Sequence, residues 1–357
     1  MHSLLGLWNQ EACVKTLQSL LIFAAVLCWC GSVYAQSVTY PLGISEEERL
    51  LQEAKAKVKP FPIGVSGGLS QTIGGGSFTK DPYVRRPSVT LGMSVSPYWR
   101  ITPLMRLSAG VGVSTTLVEN YNSRNTRPHQ WYVSDTSLSF SHAQIYKIPV
   151  VGIGIRGGVS LGFPSSLQSQ YRTLLMSSRA NLGFSRAVGP VYFSYGFSFF
   201  KNFNRYTSPV LDKDKVGDQV ILAHYLGNEQ LTTDLVSVGG NNTSFGLSNS
   251  FLVSWNITSG LSLAVYYALT QGWTYGSYPD DELTSEFADA GIGRRDSQTG
   301  VIDVSYSFNK YVSASLGVQT STAPKTADNK AIIFPFANFS NNWRNNTGIY
   351  LSVGARY

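Results

Sequence analysis

From Ile63 onward the chain repeats one pattern, an apolar side chain at every second position with Gly, Ser or Thr between. Val89, Leu91, Met93 and Val95 alternate with Thr90, Gly92, Ser94 and Ser96. Met105, Leu107, Ala109, Val111 and Val113 alternate with Arg106, Ser108, Gly110 and Gly112. The same holds for Val151–Leu161, Leu174–Phe184, Val191–Phe199, Phe245–Trp255, Leu261–Trp273, Ile302–Phe308 and Val312–Val318, and less regularly for Ser137–Ile148. Successive side chains of a strand point to opposite faces, so each stretch predicts a strand with one apolar face and one small or polar face. There are about twelve, each close to the roughly 10 residues that a tilted membrane strand needs.

The connections alternate in length. Tight turns are expected at 98–102, 147–150, 187–190, 256–260 and 308–310. Longer polar segments lie between them, at 72–86, 117–135, 164–170, 206–242, 275–296 and 320–345. Tyr98, Trp99, Tyr146, Trp255, Phe308 and Tyr311 gather on the short-turn side, and Trp131, Trp273, Tyr275 and Trp343 on the loop side. Two aromatic girdles are expected there.

The final strand sharpens the picture. Ile349, Leu351, Val353, Ala355 and Tyr357 share one face, opposite Gly348, Tyr350, Ser352, Gly354 and Arg356. This stretch resembles the C-terminal signature of bacterial outer-membrane β-barrels, a terminal aromatic preceded by apolar residues at alternate positions. The resemblance is architectural and covers nearly all of residues 61–357. It implies an all-β fold: a transmembrane, antiparallel, up-and-down β-barrel of about twelve strands with an apolar face toward lipid. It also implies that the barrel-assembly machinery reads the last strand, that outer-membrane lipids and lipopolysaccharide surround the barrel, and that both termini are periplasmic. The source would be a Gram-negative bacterium.

Composition agrees. Charged residues make up 14% of the 357, against about 25% in soluble domains. The mean hydropathy is −0.04, as expected when a polar lumen offsets an apolar belt. The net charge of +7 does not signal nucleic-acid binding, because no Lys/Arg cluster carries interleaved aromatics. Cys13, Cys28 and Cys30 all precede residue 36. Lys15, an apolar run from Leu17 to Cys28 and the small residues Val33 and Ala35 predict a signal peptide over 1–35. Its removal would leave no cysteine chemistry. Residues 36–60 are expected to form a periplasmic segment. Its helix from Ile44 to Lys59 starts with Ser45 and Glu46–Glu48 and ends with Lys55, Lys57 and Lys59, in the order that suits the helix dipole. That helix is either solvated or a plug for the lumen. The barrel takes 61–357.

Little in the chain suggests catalysis. His129 and His224 fall in outer loops without metal-ligand spacing. His142 follows Ser141, and sequence neighbours on a strand face opposite ways, so a Ser-His pair is not expected there. No catalytic residue, metal site or cofactor is assigned. Asp280, Asp281, Glu282, Glu286 and Asp289 read as a solvated outer loop. The expected function is a channel or porin passing small polar solutes, since the lumen-side positions are mostly Gly, Ser, Thr and Ala. By alternation Arg106, Arg156, Arg179 and Arg356 point into the lumen, with Asp303 opposing them. Unless carboxylates neutralise them, these arginines would favour anions. The alternatives are a barrel enzyme acting on lipid, of lipase or lipid A-modifying type, and a surface recognition barrel with a filled lumen. Solute identity and oligomeric state stay open.

Overall fold

The computed structural model describes residues 62–78, 87–118, 131–212, 235–237, 241–277, 291–326, 330–336 and 347–357. The expected signal peptide over 1–35, the expected helix over 44–59 and the acidic stretch 280–289 lie outside the described residues. So do His129, His224 and Trp343.

The elements are β1 (Ile63–Gly74), β2 (Val89–Arg100), β3 (Met105–Val118), β4 (Trp131–Val133), β5 (Thr136–Ile148), β6 (Ile153–Phe163), α1 (Leu167–Tyr171), β7 (Leu174–Val188) and β8 (Val191–Asn204). Then follow β9 (Val210–Asp212), β10 (Leu235–Ser237), β11 (Thr243–Asn256), β12 (Leu261–Ser277), β13 (Gly291–Ser307), β14 (Val312–Thr322) and β15 (Thr347–Arg356). Thirteen strands form one sheet in the order β2-β1-β15-β14-β13-β12-β11-β8-β7-β6-β5-β3-β4, and β2 also pairs with β3. The sheet therefore closes on itself. Short β4 pairs with β3 just beyond the β5 ladder and adds no further member to the ring, which has twelve antiparallel strands. β9 and β10 form a separate small hairpin inside the 206–242 connection.

The expected turns are present and share a design. At the β2–β3, β11–β12 and β13–β14 turns, Thr102, Thr258 and Asn309 accept main-chain N–H bonds from Met105, Leu261 and Val312 at 3.0, 3.0 and 2.9 Å. Such side chains satisfy the turn where the ladder cannot. Gly189, between β7 and β8, has φ +58, a conformation that a side chain would strain.

Alternation sorts the wall as expected. The outward face is apolar and exposed: Val159, Leu161, Phe193, Phe197, Ile302, Val304 and Leu316 all lie on it. Hydrogen-bonded rows of apolar residues run across strands on this face. One passes through Phe193, Val253, Val265, Ile302, Val318 and Ile349. The inward face carries Ser66, Ser70, Ser94, Ser194, Ser254 and Ser262, all buried.

Two expectations need correction. Tyr98 is not a girdle residue. It shares the inward parity of Ser94, is 5% exposed and lies in the lumen, whereas neighbouring Trp99 faces outward at 51% exposed. The 320–345 connection is not simply a polar outer loop either, because Ala331–Phe336 folds back onto the outside of the wall.

Candidate functional site

The lumen is the site, and its short-turn end is built around Tyr98. The Arg106 guanidinium stacks 4.1 Å from the centre of the Tyr98 ring, and Arg100 sits 5.4 Å away. The ring's negative face favours both cations. The Tyr98 hydroxyl reaches the main-chain oxygen of Tyr357 at 3.0 Å. Arg356 projects from the same end of β15, beside Ser66 of β1. Alternation had placed Arg106 and Arg356 here. Arg100 was missed because it was read as part of the turn, although it shares the parity of Tyr98.

Arg156 and Arg179 stand farther along. Arg156 crosses Gly183 of β7 to reach the hydroxyls of Ser194 at 2.9 Å and Tyr192 at 3.5 Å on β8. A Cβ on Gly183 would lie 2.3 Å from Arg156 Nε, so only glycine leaves this path open. Arg179 is held 5.6 Å over the ring of Phe200, in register with it. Arg179 and Asn181 both have the inward parity and both are exposed, so solvent reaches the lumen at β7.

Asp303 lies in a different part of the wall. It is 1% exposed and accepts a 2.6 Å hydrogen bond from the Tyr350 hydroxyl. Tyr350 lies flat over Gly317, where a Cβ would be 2.5 Å from the phenol oxygen. Around it Tyr266, Val301, Ala264 and Ala268 form a buried apolar cluster backed by Leu252. This side of the lumen is filled rather than small-residue, which alternation alone did not foresee. Among the described residues Asp303 makes no ion pair with a lumen arginine; the ion pair seen is Arg294 with Asp296 at 2.8 Å, near the loop end of β13.

At the loop end a cavity of about 760 Å³ opens between β1–β3 and α1, lined by hydroxyls such as Ser70, Thr72 and Thr90 and by Trp131, Asp135 and Arg172. Asp135 holds α1 in place. Its carboxylate accepts the Ser166 N–H at 2.8 Å and the Ser169 hydroxyl. Ser166 in turn caps the helix by accepting from Ser169 N at 3.1 Å.

His142 stays on the outward face, opposite Met105 and Gly157, and the bulge in β5 begins only after it. Among the described residues its Nδ1 has no hydrogen-bond partner. Among the described residues no group of three or more His, Cys, Asp or Glu side chains could hold a metal ion.

No family model and no curated protein matches the sequence. Solved structures with a similar outline include an outer membrane channel from Pseudomonas putida F1, with a TM-score of 0.46 and 8% identity, covering 84% of this chain and 97% of that one. The KdgM porin in complex with disordered oligogalacturonate has a TM-score of 0.40 at 10% identity, over 82% of this chain and 98% of that one. The NanC porin has a TM-score of 0.40 at 11% identity, over 82% and 97%. At these scores the function of this barrel has to be read from its own wall and lumen.

Proposed function

We propose that this protein is an outer-membrane channel for small polar solutes. The observation that carries the reading is the inversion of the wall. Large apolar side chains cover the exposed outside of a closed ring, while Arg179 and Asn181 meet solvent inside it. Water would drive that apolar exterior to associate, whereas a bilayer accommodates it. Closure leaves no unpaired edge, which a membrane requires. Short turns then face the periplasm, with both termini, and the long connections face outward. Surrounding lipids and the assembly machinery are the expected partners.

Anion preference is the finer part of the proposal. Arg156 and Arg179 lie on the lumen face, and Arg179 meets the solvent there. Fixed positive charge in a narrow aqueous path attracts anions. Liposome swelling tests the general reading. Proteoliposomes should swell in iso-osmotic small sugars or amino acids, faster than empty vesicles. Equal rates with folded protein present would contradict a channel.

A further inference from the structure

The outward rows of the barrel are mostly apolar, and one group of polar positions among them is buried. The row through Tyr195, Phe251 and Tyr267 continues as Gly300, Thr320 and Thr347. Gln298, on the same outward parity of β13, extends this polar notch. Yet Thr320, Thr347 and Gln298 are only 0%, 3% and 2% exposed. On an outward face that burial needs a cover, and the cover is the segment after β14. There Ile333 N donates to Pro324 O at 2.9 Å and Thr326 N to Ala331 O at 3.0 Å, turning the chain back on itself. The Gln298 side-chain amide donates to Ile333 O at 2.7 Å and accepts from the Tyr267 hydroxyl at 3.3 Å. Phe336 packs 6.3 Å from the Tyr267 ring. A Cβ on Gly300 would lie 2.3 Å from Pro335 O, so glycine is what allows the strap to seat.

The strap turns its own apolar side chains outward. Ile333 is buried, but Ile332 is 83% exposed and Phe334 62% exposed. Its main-chain oxygens meet the polar notch, and its exposed side chains continue the apolar surface of the row below. We propose that Ala331–Phe336 is a lipid-inserting strap, whose Ile332 and Phe334 contact acyl chains of the surrounding leaflet and so complete the belt over β13–β15. The occupant follows from continuity: the adjoining outward residues Ile302, Val318 and Ile349 are belt positions, and the strap carries the same chemistry across the gap. Burial of apolar side chains in lipid offsets the ordering of a loop whose own ladder is a single short bridge.

This inference rests on the membrane reading above, and the experiment separates the two. Cys13, Cys28 and Cys30 are changed to Ser, and a fluorophore is attached at Phe334→Cys, at Ile332→Cys or, on the barrel wall, at Leu316→Cys. Each protein is reconstituted in phosphatidylcholine vesicles with nitroxide-labelled acyl chains, and separately exposed to iodide in the buffer. The expected result is loss of fluorescence to acyl-chain nitroxide at all three sites, with little loss to iodide. Iodide quenching at 332 and 334, with Leu316 quenched by lipid, would overturn the strap and leave the barrel reading intact. Quenching by neither agent at 332 and 334 would also overturn it, in favour of cover by a second protein chain. An unquenched Leu316 would overturn the membrane reading and the strap with it.

Discussion

The phenol of Tyr98 donates a 3.0 Å hydrogen bond to the main-chain oxygen of Tyr357, across 259 residues of sequence. The same oxygen accepts from Val65 N at 3.1 Å, and Tyr357 N donates to Val65 O at 3.0 Å. The last strand is thus tied at the short-turn end to β1 by the ladder and to β2 by a side chain. Gly64 makes this possible, because a Cβ there would sit 2.4 Å from the Tyr98 hydroxyl.

Substitution at the seam should therefore lower stability in a definite order. Tyr98→Phe should cost about 1 kcal/mol, the usual value of one such bond. Gly64→Val should cost more, about 1–3 kcal/mol, because an overpacked neighbour has to move. Denaturant unfolding in lipid vesicles, followed by tryptophan fluorescence, measures both. A Gly64→Val variant as stable as wild type would contradict the seam.

Tyr357 contributes main-chain groups to closure, and its side chain is 82% exposed. Deleting Tyr357 should reduce the yield of heat-modifiable barrel. Tyr357→Phe, which keeps the main chain and the aromatic ring, should leave it near wild type. Equal yields from the deletion and the wild type would refute the role.

The Asp303–Tyr350 pair is buried, so its loss should be asymmetric. Tyr350→Phe removes the 2.6 Å donor from the buried carboxylate and should cost about 1–3 kcal/mol. Adding Asp303→Leu should recover much of that loss, since removing both partners is nearly neutral in such sites. A double variant less stable than Tyr350→Phe alone would contradict this account.

Much of the fold was legible, and the reason is physical. Strand side chains have period two, so the apolar positions of β6, β8 or β15 name their own outer face. The inward direction of Arg156 and Arg179 follows from the same parity. What they touch does not: Arg156 reaches Ser194, 38 residues away, through a gap left by Gly183. Tyr98 was misassigned because aromatic content near a turn was weighed above its parity with Ser94. The filled side of the lumen escaped notice because Leu252, Tyr266 and Tyr350 are large residues on the small-residue face, and only packing reveals their common cluster. The strap was illegible for a different reason. Ala331–Phe336 is apolar at every position, so no period says which way it faces, and its seat depends on Gly300 in another strand.

The central claim is an aqueous, positively biased path through the barrel. Single-channel recording in a planar bilayer, with a potassium chloride gradient across it, tests that claim most directly. The account predicts discrete current steps and a reversal potential of the sign set by chloride, shifted toward zero in the Arg156→Ala/Arg179→Ala double variant. Absence of steps from protein shown to be folded would contradict the channel, and a reversal potential set by potassium in the wild type would contradict its bias.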